Sequence, residues 1–161
     1  MGLISELKEK ARKKLFNIPE PIPTEVTYIT LIQKKSEQHT EVNAWNVAII
    51  YRHPYRKEPY VLCRKCHHTG DKRSAILDSI YMAMDSLGIM SNPTKTLVLV
   101  VYDNDVRNYM LGKESKLSEE LLDRAGLIKE LLTNYPGNIL FTKYAPYPED
   151  IQRAEMSLVG L

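Results

Sequence analysis

The chain has 161 residues, of which 43% are hydrophobic and 26% are charged, and its formal net charge is +2. This length suits one domain with a single core, and the composition is that of a globular protein. The small net charge excludes a polycation, and no apolar run approaches the roughly 20 residues of a membrane span.

An amphipathic basic helix is predicted at the N-terminus, over residues 1–18. Its apolar residues recur at helical spacing and form one stripe: Leu3, Leu7, Ala11 and Leu15. Residues 19–25 are rich in proline, which fixes φ and restricts the preceding residue, so this segment is predicted to be a linker. The folded domain then covers residues 26–161, and segment 3–16 is a candidate docking site for a protein partner.

Three strands are predicted at the beginning of the domain, over residues 26–34, 43–51 and 59–68. In the second of them, large apolar residues recur at every second position, which is the pattern of a strand: Trp45, Val47, Ile49 and Tyr51. Residues 53–57 separate the second strand from the third and include Arg56 and Lys57, which predicts a basic hairpin turn.

The second half of the domain alternates strands with helices, which predicts parallel crossover connections. Residues 97–101 are continuously apolar, as in a strand that is covered on both faces, and Asp103 follows this strand. The predicted elements are a helix over 72–87, a strand over 95–102, a helix over 118–134, a strand over 138–144 and a helix that begins at Pro148.

Residues 26–161 resemble the ribonuclease H-like superfamily in the order of these elements and in four short motifs, at residues 43–52, 69–73, 102–104 and 147–150. Tyr-Asp-Asn at 102–104 is similar to the Thr-Asp-Ser that ends the family's fourth strand. Tyr-Pro-Glu-Asp at 147–150 is similar to the His-Pro-Glu-Asn before its last helix. The resemblance implies an α/β domain with a five-stranded mixed sheet, its first three strands antiparallel, flanked by helices on both faces and preceded by the N-terminal helix.

The family cuts the RNA strand of RNA–DNA hybrids with two Mg²⁺ ions held by four carboxylates. The resemblance assigns these four positions to Leu31, Ala75, Asp103 and Ala154, and no Asp or Glu occurs anywhere in residues 26–36. Apolar side chains cannot replace oxygen ligands of a hard ion. We therefore expect a degenerate site with no bound metal, no cofactor and no nuclease activity, in which a vestigial Asp103 caps a turn with Asn104.

Two other functions remain open at this point. In the first, the chain is a divergent Mg²⁺-dependent nuclease whose metal site is rearranged around Asp103 and uses other carboxylates: Asp71, Asp78 and Asp105. Alternatively, the chain is a protein-interaction module that acts through its N-terminal helix.

The principal prediction is a non-catalytic module that binds structured RNA or a ribonucleoprotein assembly. The family's phosphate-binding loop maps onto residues 69–73, where a hydroxyl and two cations near a helix N-terminus suit a phosphate. The predicted nucleic-acid surface comprises Arg52, Arg56, Lys57, Arg64, Lys65, Thr69, Lys72 and Arg73, with stacking by Tyr51, Tyr55 and Tyr60. The alternative is that these cations only keep the sheet edges from aggregating.

Cys63 and Cys66 with the following His67 match the attachment pattern of c-type haem and half of a zinc site. Residues three apart on a strand point to opposite faces, so the predicted strand excludes a zinc ion shared by both cysteines. Haem attachment requires export, and the lysine-bearing N-terminus lacks the apolar core of a signal peptide. With only two cysteines as well, the sequence favours a reducing, cytoplasmic location.

Overall fold

The structure is a computed structural model that describes residues 26–38, 44–54, 56–66, 71–89 and 94–161. The predicted N-terminal helix at 1–18, the linker at 19–25 and Thr69 lie outside these residues. Within the described part of the chain, no helix is both long enough and apolar enough to cross a membrane.

The sheet has five strands: β1 (Val26–Lys35), β2 (Trp45–Arg52), β3 (Tyr60–Cys66), β4 (Thr96–Val100) and β5 (Asn138–Thr142). The described ranges contain four α-helices: α1 (Lys72–Asp85), α2 (Asn104–Met110), α3 (Glu119–Leu132) and α4 (Pro148–Ser157). A short 3₁₀ turn, Ser86–Ile89, continues α1. The strands and helices predicted for the domain are therefore confirmed, and α2 is an addition to them.

The strand order is β3-β2-β1-β4-β5. The pairs β1–β2 and β2–β3 are antiparallel, whereas β1–β4 and β4–β5 are parallel, which confirms the predicted mixed sheet with an antiparallel first half. The parallel strands β1, β4 and β5 all finish at one end of the sheet. We call this end the carboxyl end and the opposite one the amino end.

Helices cover both faces of the sheet, as predicted. On one face, Ile29 and Leu31 of β1 pack with alternate residues of β2 and β4 against α1, α2 and α3 in the larger core cluster. On the other face, Ala48 and Ile50 of β2 pack against Ala154 and Leu158 at α4. Because neighbouring residues of a strand point to opposite faces, one strand supplies both cores, and each buried Leu or Ile contributes about 1.5–3 kcal/mol.

Local chemistry explains where the elements begin. Asp71 caps α1 by accepting a hydrogen bond from the backbone N–H of Ser74 at 2.9 Å, and Pro148 occupies the first turn of α4. Before β5, a Cβ on Gly137 would lie 1.9 Å from the carbonyl oxygen of Lys95. Only glycine therefore lets β5 approach closely enough for the N–H of Asn138 to bond that oxygen at 2.7 Å.

Candidate nucleic-acid interface

Three of the four positions that the resemblance assigns to metal-binding carboxylates hold buried apolar side chains. Leu31 and Ala75 are each 2% exposed, and Ala154 is fully buried. Leu31 belongs to the core cluster on the α1 face, whereas Ala154 belongs to the cluster on the opposite face. These residues are packing elements, and they do not fit a two-metal site.

The remaining position, Asp103, makes hydrogen bonds within the protein with both carboxylate oxygens. One carboxylate oxygen accepts a hydrogen bond from the backbone N–H of Val106 at 2.9 Å, and the other accepts one from Nε of Arg73 at 3.0 Å. Asp103 is thus the N-cap of α2, where an acidic side chain also suits the helix dipole. A turn capped by Asp103 with Asn104 was predicted, whereas Asp103 caps a helix of which Asn104 is the first residue.

Arg73 joins Asp103 to a second carboxylate. Its Nη2 lies 2.7 Å from Oδ2 of Asp105, and its Nη1 donates to the carbonyl oxygen of Lys116 at 3.3 Å. The backbone N–H of Lys116 in turn donates to Oδ1 of Asp105 at 3.1 Å. The hydrogen bond with Asp103, and next the charges of both aspartates, raise the pKa of Arg73. One guanidinium therefore binds two carboxylates, each of which also accepts a hydrogen bond from a backbone N–H, and the three side chains together keep one negative charge.

The other carboxylates considered for a rearranged metal site are used differently. Asp71 caps α1, and Asp78 lies 3.4 Å from Arg124 of α3. Among the described residues, no three side chains of the metal-binding types come together in a group that would hold an ion.

Arg52 forms an ion pair within the protein that was not predicted from the sequence. Its Nε and Nη2 lie 2.8 and 2.5 Å from the two carboxylate oxygens of Asp150, which is 1% exposed. The guanidinium also lies 4.2 Å from the ring centroid of Tyr147. The hydrogen bonds to Asp150 are the main cause of a raised pKa of Arg52. This side chain ties β2 to the start of α4, so it is not an outward-facing phosphate contact.

The β2–β3 hairpin presents exposed cations at the amino end of the sheet. Arg56 and Lys57 are exposed, and the Arg56 guanidinium lies 3.7 Å from the ring centroid of Tyr60 and donates to its hydroxyl. Tyr51, in contrast, is fully buried, and its hydroxyl donates to the carbonyl oxygen of Ala83 at 2.6 Å. The expectation that Tyr51 stacks with bases is therefore wrong, and Tyr55 lies outside the described residues.

Arg64 and Lys65 are both exposed, but they lie on opposite faces of the edge strand β3. Arg64 shares the face of Leu62, which packs against the α1 core, whereas Lys65 shares the face of Cys63. Sγ of Cys63 lies 3.8 Å from the carbonyl oxygen of Ser157 in α4. The strand prediction that spoke against a shared zinc ion is thus confirmed, since both cysteines belong to β3.

No protein-family profile and no curated protein matches the sequence, but solved structures do. Ribonuclease H1 from the archaeon Halobacterium salinarum NRC-1 superposes with a TM-score of 0.63 at 13% identity, covering 83% of this chain and 93% of that one. LC11-RNase H1, in complex with an RNA/DNA hybrid, gives 0.64 at 10% identity, covering 81% and 91%. The N-terminal RNase H domain of rv2228c from Mycobacterium tuberculosis gives 0.55 at 8% identity, covering 81% and 94%. This chain has the ribonuclease H-like fold.

The ribonuclease H-like fold divides the predicted basic surface between the two ends of the sheet. Arg52 pairs with Tyr28 near the beginning of β1, so the hairpin with Arg56 and Lys57 lies at the amino end. Lys72 begins α1 beside Asp103, at the carboxyl end. The seven residues of β3 separate these places by about 20 Å. The structure thus brings Lys72 and Arg73 together at one end, and Arg56 and Lys57 together at the other.

Proposed function

We propose that this chain is a non-catalytic ribonuclease H-like module that binds structured RNA or a ribonucleoprotein assembly. The observation that carries the proposal is that both carboxylate oxygens of Asp103 are hydrogen-bonded within the protein. One oxygen caps α2, and the other accepts a hydrogen bond from Arg73. Each oxygen of this carboxylate accepts a hydrogen bond within the protein, and a metal ion bound to Asp103 would lie close to the positive charge of Arg73. The buried Leu31, Ala75 and Ala154 support the same conclusion, because none of them offers a ligand atom.

The cation at the beginning of α1 supports binding. Lys72 is exposed, it is the first residue of α1, and the first turn contains no acidic residue. The helix dipole disfavours a cation at this place by about 0.3–1 kcal/mol. Arg73 in the same turn is explained by its two aspartates, but Lys72 has no comparable structural explanation. Because the Asp71 carboxylate already accepts the N–H of Ser74 at this helix N-terminus, the ammonium of Lys72 is the proposed contact for an RNA phosphate, which gives Lys72 a role.

The exposed cations of the hairpin and of β3 extend this surface. Arg56, Lys57, Arg64 and Lys65 are exposed, and their placement at separate points of the domain suits a large, folded RNA better than a short strand. In LC11-RNase H1, a chain of the same fold was crystallised with an RNA/DNA hybrid. A protein partner of a ribonucleoprotein assembly is proposed to dock on segment 3–16.

A nuclease is the second candidate, because Arg73 brings Asp103 and Asp105 together and the structural neighbours are ribonucleases H. Incubation of the purified chain with an RNA–DNA hybrid and Mg²⁺ or Mn²⁺ separates the two candidates. We expect no cleavage above background. Cleavage that Asp103→Asn abolishes would establish the nuclease instead.

Binding is tested by fluorescence anisotropy with a labelled hairpin RNA over a series of salt concentrations. Affinity is expected to fall steeply with salt, since phosphate contacts release counterions, and Lys72→Glu should weaken binding and lower the salt slope by about one. Lys113→Glu, which makes the same change of charge at an exposed residue after α2, is the matched control. Absence of binding at low salt, or equal effects of the two variants, contradicts the proposed surface.

A further inference from the structure

Two exposed tyrosines follow the neighbouring parallel strands β4 and β5 at the carboxyl end of the sheet. Tyr102 is 44% exposed and Tyr144 is 67% exposed. The backbone N–H of Val101 donates to the carbonyl oxygen of Thr142 at 2.8 Å, so the two strands are still hydrogen-bonded directly before these residues. Tyr102 and Tyr144 therefore follow adjacent strands at the same end of the sheet, and both side chains are exposed there.

Two cations accompany these rings. The ammonium of Lys143 lies 5.2 Å from the ring centroid of Tyr144. The guanidinium of Arg107 donates to the carbonyl oxygen of Val101 at 2.8 Å, which places it at the end of β4, one residue before Tyr102. Aromatic faces beside cations are the combination that binds single-stranded nucleic acid, in which bases stack and phosphates are neutralised.

Acidic groups nearby offset this charge. Arg73 compensates only one of the two negative charges of Asp103 and Asp105. Glu155 of α4 is close enough to Tyr102 to influence its ionisation. Partial burial, and to a lesser degree Glu155, raises the pKa of Tyr102. The acidic and basic side chains of this surface leave no net formal charge, so the two rings supply the main attraction, and Lys143 and Arg107 provide local contacts for phosphates.

We propose that Tyr102 and Tyr144 form a stacking platform for unpaired nucleotides of RNA, with Lys143 and Arg107 contacting the phosphates. The inference rests on the proposed function and narrows it, because it assigns the bound RNA an unpaired loop or end at the carboxyl end of the sheet. Bases inside a duplex are stacked on each other and present no face to a protein ring, so the platform selects unpaired bases.

The test compares the full chain with two double variants by fluorescence anisotropy, using an unstructured single-stranded RNA and a blunt RNA duplex of equal length. Tyr102→Leu with Tyr144→Leu removes both rings, whereas Tyr102→Phe with Tyr144→Phe keeps them. The Leu pair should weaken single-strand binding by about tenfold or more, and the Phe pair should stay within about twofold of the unaltered chain. Tyr81→Leu, at another tyrosine that is 49% exposed, should have no effect.

The outcomes distinguish the proposed stacking platform from the proposed binding of RNA by the chain. Loss of single-strand affinity in the Leu pair alone, with unchanged duplex binding and an unchanged thermal unfolding curve, supports the platform. Unchanged binding in the Leu pair, or equal losses in the Leu and Phe pairs, overturns the platform and leaves RNA binding in place. If the unaltered chain binds the duplex but not the single strand, the platform alone is again overturned. If it binds neither RNA, both proposals fail.

Discussion

The guanidinium of Arg52 binds both carboxylate oxygens of Asp150, at 2.8 and 2.5 Å, across 98 positions of the chain. The carboxylate is 1% exposed and the arginine side chain is 18% exposed. Removing one partner of such a pair leaves the other charge buried, whereas removing both does not. The intact pair therefore holds the beginning of α4 against β2, because any movement that separates the two side chains leaves a buried charge without its partner.

Replacement of Arg52 by Met should lower the free energy of unfolding by about 3 kcal/mol, because the buried Asp150 carboxylate loses its partner. Adding Asp150→Leu to this variant should restore part of the loss. Guanidinium unfolding followed by the fluorescence of Trp45, the only tryptophan, measures both variants. Strictly additive losses would show that the two side chains do not act as a pair.

Replacement of Ala154 by Asp places a carboxylate at the position that the resemblance assigns to the family's last metal ligand. Because Ala154 is fully buried against Ala48 and Ile50, the variant should lose about 3 kcal/mol or more of unfolding free energy. The matched control is Gln152→Asp, at an exposed position of the same helix, which should change stability by about 0.5 kcal/mol at most. Equal thermal unfolding temperatures for the two variants would contradict the packing role of Ala154.

Tyr51 predicts a loss of stability at alkaline pH. Burial is the largest cause of the raised pKa of its hydroxyl, so the folded protein keeps the proton to a higher pH than the unfolded chain. The resulting stability is fully present below the unfolded-state pKa of about 10 and is lost as pH rises above it. Tyr51→Phe should reduce this loss between about pH 9 and pH 11.

The same variant should cost about 1 kcal/mol at neutral pH, since the hydrogen bond to Ala83 is removed. Thermal unfolding at several pH values gives both quantities, and the exposed Tyr144→Phe is the control. A parallel pH dependence for Tyr51→Phe and the unaltered chain would show that Tyr51 is not the group responsible.

Arg73→Glu should lower stability and Lys72→Glu should not, although the residues are neighbours in α1. Arg73→Glu places a third carboxylate beside Asp103 and Asp105 and should cost about 2 kcal/mol. Lys72→Glu puts an acid at the first residue of α1 and should leave stability unchanged or raise it by up to about 1 kcal/mol. Thermal unfolding of both variants is the measurement, and an equal loss in both would contradict these roles.

Much of the fold follows from local patterns in the sequence. The period-2 alternation in β2 and the continuous apolar run in β4 both indicate strands, and the structure covers both strands on both faces. Helix α2 was missed because Asp103 and Asn104 suit a turn equally well, and the helix has only seven residues. The spacing of four between Val106 and Met110, both buried, was the available signal.

The candidate site was harder to predict, because its residues are defined by partners far away in the chain. Nothing near Arg52 in the sequence indicates Asp150, and nothing near Arg73 indicates that two aspartates lie within its reach. The exposure of Tyr144 follows from the bend after β5, which no periodicity encodes. Charge and residue type identified the cations, but only tertiary contacts distinguish internal ion pairs from an exposed surface.

The middle position of β1 has a consequence for the order of folding. β1 pairs with β2, its neighbour in the chain, and with β4, which follows only after β2, β3 and α1. Pairing of β1, β2 and β3 closes short loops, whereas the β1–β4 pairing closes a much longer one and loses more chain entropy. We therefore expect the antiparallel meander to form first and to serve as the template on which β4 and β5 assemble.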